Sequence, residues 1–350
     1  MRPTDQDCPE MQLDTFPLPD GWSAADVLED AVVADGVRLL RAGLSSTGPM
    51  GEEITGAAVE ADSSPVARGY YELLERVSTM EALHAPARSY DLLTAEGDLV
   101  GNRASADVFP ESSDPSRWRY ARSNGIALHS SWEQATLHAF WELAERDRVL
   151  RAWYGDTRPE RIEFELDSCP LRSASSYEWR AYSFPNDRDT EFSRGVAVVG
   201  IYGVPRGSDL PLIFGYAARP ERADARDAAV REAMQLLGFL WGEPLLDSLP
   251  APTPTPLHHL EHFQWYDHRA ILRRWLDEGH EVFRQREHAA SGRAPSQQLT
   301  PVRFVDLTPS WLGGGLRVAK AICDAAKPLV FGESPFITHL PPDRRTHPIG

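Results

Sequence analysis

The sequence predicts an α/β or α+β layer fold, in which helices flank a mixed β-sheet core. Two observations predict it. Long segments with apolar residues at helical spacing alternate with short strand-like runs, and no short-period repeat interrupts them. The chain has 350 residues, 42% of them hydrophobic, which suffices for one large core or two modest ones.

The elements follow in order. Residues 1–20 are polar and contain proline, and are expected to be loosely ordered. The spacing over 23–44 predicts a first helix, with Ser23 as its N-cap. "STGPMGEEITG" is a loop by its Gly, Ser and Pro content. A second helix is expected over 64–83, where Pro65 suits an early helical position after Ser64. Residues 85–120 are mixed. The clearest helix is "SSWEQATLHAFWELAERDRVLRAWYG", with Ser131 as cap and Gly155 after its end. "RIEFEL" (161–166) alternates like a strand, "GVAVVGIYGV" (195–204) reads as a buried strand, and 221–241 is again helical. "LPAPTPTPL" (249–257) is a stiff connector. "VRFVDL" (302–307) and residues 315–331 suggest a closing strand, helix and strand. The chain therefore divides into an extension with the first helix (1–55) and a main domain (56–350) ending in a proline-containing tail.

Charge and composition exclude several roles. A formal net charge of −16 opposes binding to nucleic acid or to an anionic membrane, since both need basic surface. No apolar run approaches the roughly 18 residues of a membrane span, and the N-terminus lacks a basic start followed by an apolar stretch. Three scattered cysteines, Cys8, Cys169 and Cys323, argue against a disulfide framework and for a cytoplasmic location.

Three helical segments carry related acidic patterns. "ELLER" contains Glu72, Glu75 and Arg76; "ELAER" contains Glu142, Glu145 and Arg146; "EAMQ" contains Glu232 and Gln235. Each places two oxygen-bearing side chains at i and i+3, on one helix face. Such runs usually form a solvated face. Here Phe140, Trp141, Leu143, Leu150 and Trp153 leave little of the second helix solvated. Carboxylates in such surroundings need a cation or repeated hydrogen bonds. Magnesium suits clustered carboxylates that share it with phosphates. No GxxxxGK[ST] loop is present to bind phosphates directly.

These motifs, in their order, resemble those of the YcaO family. "SNGIALHSSWEQATLHAFWELAERD" (123–147) resembles the family's SNG turn and ExxER helix, "ARGYYELLER" (67–76) its earlier ExxER helix, and "GYAARPERADARDAAVREAMQ" (215–235) its ExxQ-like helix. "VDLTPSWLGGGLRVAKAIC" and the tail fit the last segment, so the resemblance spans about residues 56–350. It implies a YcaO-like fold and an ATP-dependent enzyme that phosphorylates peptide backbone amides. It assigns Mg²⁺ to Glu72, Glu75, Glu142, Glu145 and Glu232, and ATP with Mg²⁺ to those residues together with Arg146 and Gln235. The implied reaction is azoline formation at Cys, Ser or Thr of a ribosomally made precursor peptide, with thioamide or amidine formation, or a non-catalytic scaffold, as alternatives. No ubiquitin-activating-enzyme-like module is recognisable, so a separate leader-peptide-binding partner is expected, and a homodimer is possible.

The sequence also departs from the family. "GAA" (Gly56, Ala57, Ala58) replaces a GKG-like turn, Gln134 stands where a further glutamate is common, and "LLGF" follows Gln235 in place of an arginine. In "HLPPDRRTHPIG", the resemblance implies a catalytic Gly350 carboxylate, and His347 has a pKa range suited to a general base. "HHLEH" contains His258, Glu261 and His262 in an H-x-x-E-H pattern, with His268 nearby and Asp277 or Glu278 as further ligands for zinc. The plainer reading is a helix start that packs Phe263, Trp265 and Tyr266.

Overall fold

The computed structural model describes residues 16–84, 86–166, 169–186, 192–207, 209–245, 248, 251–278 and 301–350. The expectations for residues 1–15, including Cys8, lie outside these. Strands β1 (Asp26–Ala34) and β2 (Val37–Thr47) form an antiparallel hairpin, turned by Asp35 and Gly36 at φ 47° and 83°. The helix expected over 23–44 is thereby corrected to two strands. Asp-Gly supplies the two positive-φ residues of a tight hairpin turn, and the valines flanking it favour extended backbone. Helical spacing arises by coincidence, because β2 buries Val37 and Leu39 on one face and Ala42 and Leu44 on the other. β3 (Glu53–Glu60) joins β2, so the boundary drawn at residue 55 falls inside a strand.

Helix α1 (Val66–His84) follows, then β4 (Ser89–Leu93), β5 (Leu99–Ala104), the short α2 (Ser105–Val108), β6 (Trp118–Tyr120) and β7 (Ile126–His129). Helix α3 (Trp132–Tyr154) is bounded as expected: Ser131 accepts from the Gln134 N–H, and Gly155 closes the end at φ 88°. Next come β8 (Glu160–Ile162), β9 (Tyr177–Ser183), β10 (Ala197–Pro205), β11 (Ile213–Arg219) and α4 (Arg222–Leu240). The chain ends with α5 (Pro256–His262), α6 (Tyr266–Glu278), β12 (Arg303–Asp306), β13 (Arg317–Ile322) and β14 (Val330–Gly332). The helix expected between residues 315 and 331 is corrected: β13 occupies this stretch, because Val318, Ala319 and Ala321 are needed inside the sheet.

Every strand pairing among the described residues is antiparallel. The sheets run β1-β2-β3, β11-β10-β9-β8, β5-β4-β12-β13-β7 and β14-β6. The architecture is the expected mixture of sheets and helices, on the α+β side. The β1-β2-β3 sheet is covered on one face by α1, through Leu44 and Leu73, and on the other by α4, through Leu39, Val59 and Leu237. Each fully buried leucine of this sandwich contributes roughly 1.5–3 kcal/mol. α1 and α3 both contact β7, while α3 and α4 both contact β11. The three acid-bearing helices are thus drawn around one region. No helix among the described residues is long and apolar enough to cross a membrane.

Candidate functional site

The site starts with a close approach of β3 to α1. A Cβ on Gly56 would stand 2.1 Å from the Gly69 carbonyl oxygen and 2.3 Å from the Leu73 nitrogen. Only glycine permits this contact, and it brings the next residue to the acids. The Ala57 N–H donates to Glu72 Oε2 at 2.9 Å, while Arg76 pairs with the other oxygen and also donates to the Thr55 carbonyl. One turn on, Glu75 Oε2 accepts the Leu128 N–H of β7 at 3.0 Å.

The second acid pair is organised by the Ser-Asn-Gly turn. Gly125, at φ 70°, donates its N–H to Glu142 Oε1 at 3.2 Å, and Arg146 pairs with the same carboxylate. Arg146 also reaches Asn124 Oδ1 at 3.3 Å. Beneath the turn, buried Lys320 of β13 donates to the carbonyls of Arg122 and Asn124 at 2.9 and 2.8 Å. Burial drives the Lys320 pKa down to about 7, against the nearby Glu142 charge.

Electrostatics shows that the acids form one cluster. Loss of hydration pushes Glu75 up to about 8, with the Glu142 and Glu72 charges adding and the Leu128 N–H opposing. It pushes Glu145 likewise to about 8, where Arg146 opposes and Glu232 and Glu142 add. Glu142 is raised by the same desolvation, countered first by Arg146. Glu232 is raised by desolvation too, with Arg68 opposing and Glu72 adding. These groups are nevertheless reachable by solvent: Glu142 keeps a quarter of its side chain accessible, at 24%, and Glu232 is exposed. They are therefore densely surrounded yet open to solvent. Gln235 lies three residues beyond Glu232 on α4 and is partly buried.

The donor set fits a hard cation. Among the described residues no group of three or more His, Cys, Asp or Glu side chains is placed to hold a metal ion by itself. Magnesium asks for less, since it is commonly held by one or two carboxylates plus phosphate oxygens and water. Carboxylate pairs from α1 and α3 and a single carboxylate from α4, with two of the five pushed to about 8, offer that arrangement and gain from a positive ion beside them.

Lys320, Arg68, Arg219 and Asn124 were not singled out by sequence reasoning. Arg219 stacks its guanidinium 4.5 Å from the centre of the Trp141 ring and opposes the upward shifts of Glu145 and Glu232. The signal for Lys320 was legible: one lysine in "RVAKAI", a strand otherwise apolar between its ends.

The tail packs on β14 and α5. His347 has 0% exposure; its Nε2–H donates to the Val330 carbonyl at 3.0 Å, and its Nδ1 faces His259 Nδ1 at 3.3 Å. His259 Nδ1–H also meets the His347 carbonyl at 3.1 Å, and its Nε2 accepts the Gly332 N–H. Both rings are fully used as neutral imidazoles, and burial holds His347 down to about 4. The general-base expectation for His347 is corrected: a sealed ring anchors the tail and offers no base to a substrate. Gly350 is exposed against Pro256 and Leu260 of α5.

The zinc reading also finds no support. Although His258 and His262 face one another with ring centres 5.9 Å apart, His262 stacks on His268 at 3.7 Å. Asp277 is occupied by Arg180 and by the Tyr182 hydroxyl, each at 2.6 Å. Phe263, at the C-terminal end of α5, instead packs against Trp153, as the plainer reading expects.

Known structures share this fold. Structural likeness extends to YcaO from Methanopyrus kandleri bound with AMPPCP and Mg²⁺, at 18% identity and TM-score 0.56, covering 86% of this chain and 85% of that one. The E. coli microcin synthetase McbBCD complex matches at 10% identity and TM-score 0.53, covering 86% and 87%. A heterocyclase in complex with substrate and cofactor matches at 17% and 0.51 over 88% of this chain, which spans 50% of that protein. No curated protein sequence matches the chain. The sequence model described as "YcaO cyclodehydratase, ATP-ad Mg2+-binding" matches residues 104–325, taking in the second and third acid motifs and leaving α1 to be joined to them by the fold. With that match extending over more than half of its length, and with its acids gathered as described, the chain belongs to the YcaO family.

Proposed function

We propose that this protein is an ATP-dependent enzyme that activates backbone amides of a ribosomally made peptide and converts Cys, Ser or Thr residues into azolines. The observation that carries this is the single cluster formed by Glu72, Glu75, Glu142, Glu145 and Glu232, in which desolvated acids await a cation. These five residues would hold Mg²⁺ with ATP phosphates, assisted by Gln235 and by Arg146. Bound there, the ion would neutralise phosphate charge and align the γ-phosphoryl group.

In the reaction, the substrate's sulfur or hydroxyl oxygen adds to the preceding carbonyl carbon and gives up its proton. The oxyanion so formed takes the γ-phosphoryl group of ATP, and ADP leaves. The carbon–oxygen bond then breaks as phosphate departs, the amide nitrogen loses its proton, and a C=N bond forms within the ring that the addition closed. The chain's own groups orient this chemistry. Gly125 and Leu128 N–H groups fix Glu142 and Glu75, Lys320 pins the turn that carries Gly125, and Arg146 offers a guanidinium for phosphate. The Gly350 carboxylate is the proposed proton acceptor, on a tail that His347 holds in place. A precursor peptide and a separate leader-binding protein complete the proposed system, located in the cytoplasm.

The test is to incubate the protein with ATP, Mg²⁺, the precursor peptide and the partner, and to read peptide mass and phosphate release. Loss of one water per phosphate released supports azoline formation. Oxygen-for-sulfur exchange would assign a thioamide instead. Nucleotide binding without turnover under every combination would assign a scaffold.

A further inference from the structure

Strand β1 is an anomaly among the sheets. It lies at the edge of the β1-β2-β3 sheet, and every residue from Asp26 to Ala31 is exposed. Val27, Leu28 and Val33 are 43%, 72% and 64% exposed, so this one strand carries three of the eight large apolar side chains left in solvent among the described residues. A long, apolar, unpaired edge is a template for another strand, and proteins ordinarily blunt such edges or cover them.

The hairpin geometry fixes what the edge displays. A two-residue turn closes on a hydrogen-bonded pair, here Ala34 with Val37, and bonded and non-bonded pairs then alternate along the ladder. The backbone groups of Val27, Glu29, Ala31 and Val33 consequently point outward, away from β2. The sequence DVLEDAVVA is also self-complementary about its centre. Antiparallel pairing around Asp30 sets Val27 opposite the partner's Val33, Leu28 opposite Val32 and Glu29 opposite Ala31. All four outward-facing residues then meet outward-facing residues, as a ladder requires. Shifting the register by one step either way places Leu28 opposite Asp30 or Glu29 opposite Val33. The one like-charge pair, Asp30 with Asp30, is already compensated on each chain: Arg41 Nε donates to Asp30 Oδ1 at 2.7 Å, and the same guanidinium is tied to the Gly238 carbonyl at 3.0 Å.

We propose that β1 is an interface for a second copy of this chain, the two strands pairing antiparallel about a two-fold axis at Asp30 to make a continuous six-stranded sheet. An isologous contact of this kind closes after two copies, which removes the exposed edge without forming a filament. The proposal is independent of the catalytic reading, because the acids of the cluster lie on α1, α3 and α4 and none on β1.

The experiment uses the full-length chain. Sedimentation velocity should give the mass of a dimer at micromolar concentration. Ala31→Pro removes an outward N–H without touching the bonds to β2, and it should halve the mass while circular dichroism and nucleotide binding are kept. In a non-bonded antiparallel pair the facing Cα atoms stand about 4.5 Å apart, within the span of a disulfide. Asp30→Cys should therefore give a covalent dimer under mild oxidation, with a 30–30 cross-link by peptide mass, whereas Ala31→Cys should not. A monomer for the unaltered chain overturns the proposal. So does a dimer that survives Ala31→Pro, or dissociation by that variant with no cross-link at Cys introduced at 30.

Discussion

Glu145 and Glu75 show what a single side chain here is asked to do. Each sits where the protonated form is favoured up to about pH 8, against 4.5 for the unperturbed group. Between those values the folded protein holds protons that the unfolded chain has released. The contribution of these two acids to the stability of the metal-free protein should therefore fall as pH rises from about 5 to 7, read as a thermal midpoint that declines relative to that of the Glu145→Gln variant. Adding Mg²⁺ with a non-hydrolysable ATP analogue should release protons, detected by calorimetry at pH 7 in buffers of different ionisation enthalpy. Binding with no buffer dependence would contradict the assignment of these acids to the cation. Glu142→Ala or Glu145→Ala should lower ATP turnover by about 100-fold or more in a protein that remains folded, by analogy with the cost of disturbing metal ligation. Lys320→Met should also lower turnover, because the turn presenting the Gly125 N–H to Glu142 loses its two carbonyl anchors. None of these magnitudes could be read from spacing. An ExxER motif states that two acids share a face, and the shift depends on what packs around them.

At the scale of elements, the contact between β3 and α1 governs the first acid pair. Gly56→Ala forces a methyl group into the Gly69 carbonyl and the Leu73 nitrogen. Such overpacking costs about 1–3 kcal/mol, measurable by chemical denaturation. The same substitution moves Ala57, whose N–H holds Glu72, so turnover should fall beyond what the loss of folded protein explains. The helices themselves were legible in the sequence because each has its own start and stop: Ser131 and Gly155 bound α3, and Pro65 precedes α1. The hairpin was not, since β2 buries apolar residues on both faces and so imitates a helical repeat. The Asp-Gly pair was the overlooked signal, and it outranks periodicity over so short a span. The stretch Arg317–Ile322 misled for a related reason: a central strand needs apolar residues nearly everywhere, which leaves little alternation to recognise.

For the whole molecule, the N-terminal segment is part of the core rather than an appendage. Val37 and Leu39 pack with Leu237 and Met234 of α4, the helix that carries Glu232. Removing residues 1–55 should therefore leave an unfolded or aggregated product, seen as loss of the cooperative thermal transition. A soluble, ATP-binding remainder would show the hairpin to be dispensable. What the sequence by itself determined is the set of local features: three helices with two oxygen donors on one face, their order, the caps, and the family to which they point. Those follow from spacing, because a helix places i and i+3 together wherever it sits. Only the tertiary structure decided that the three pairs form one cluster, that Lys320, Arg68 and Arg219 set their charge, and that His347 is sealed among carbonyls. These depend on desolvation and Coulomb interactions between residues far apart in the chain, which fall off within a few ångströms and exist only once the helices have packed.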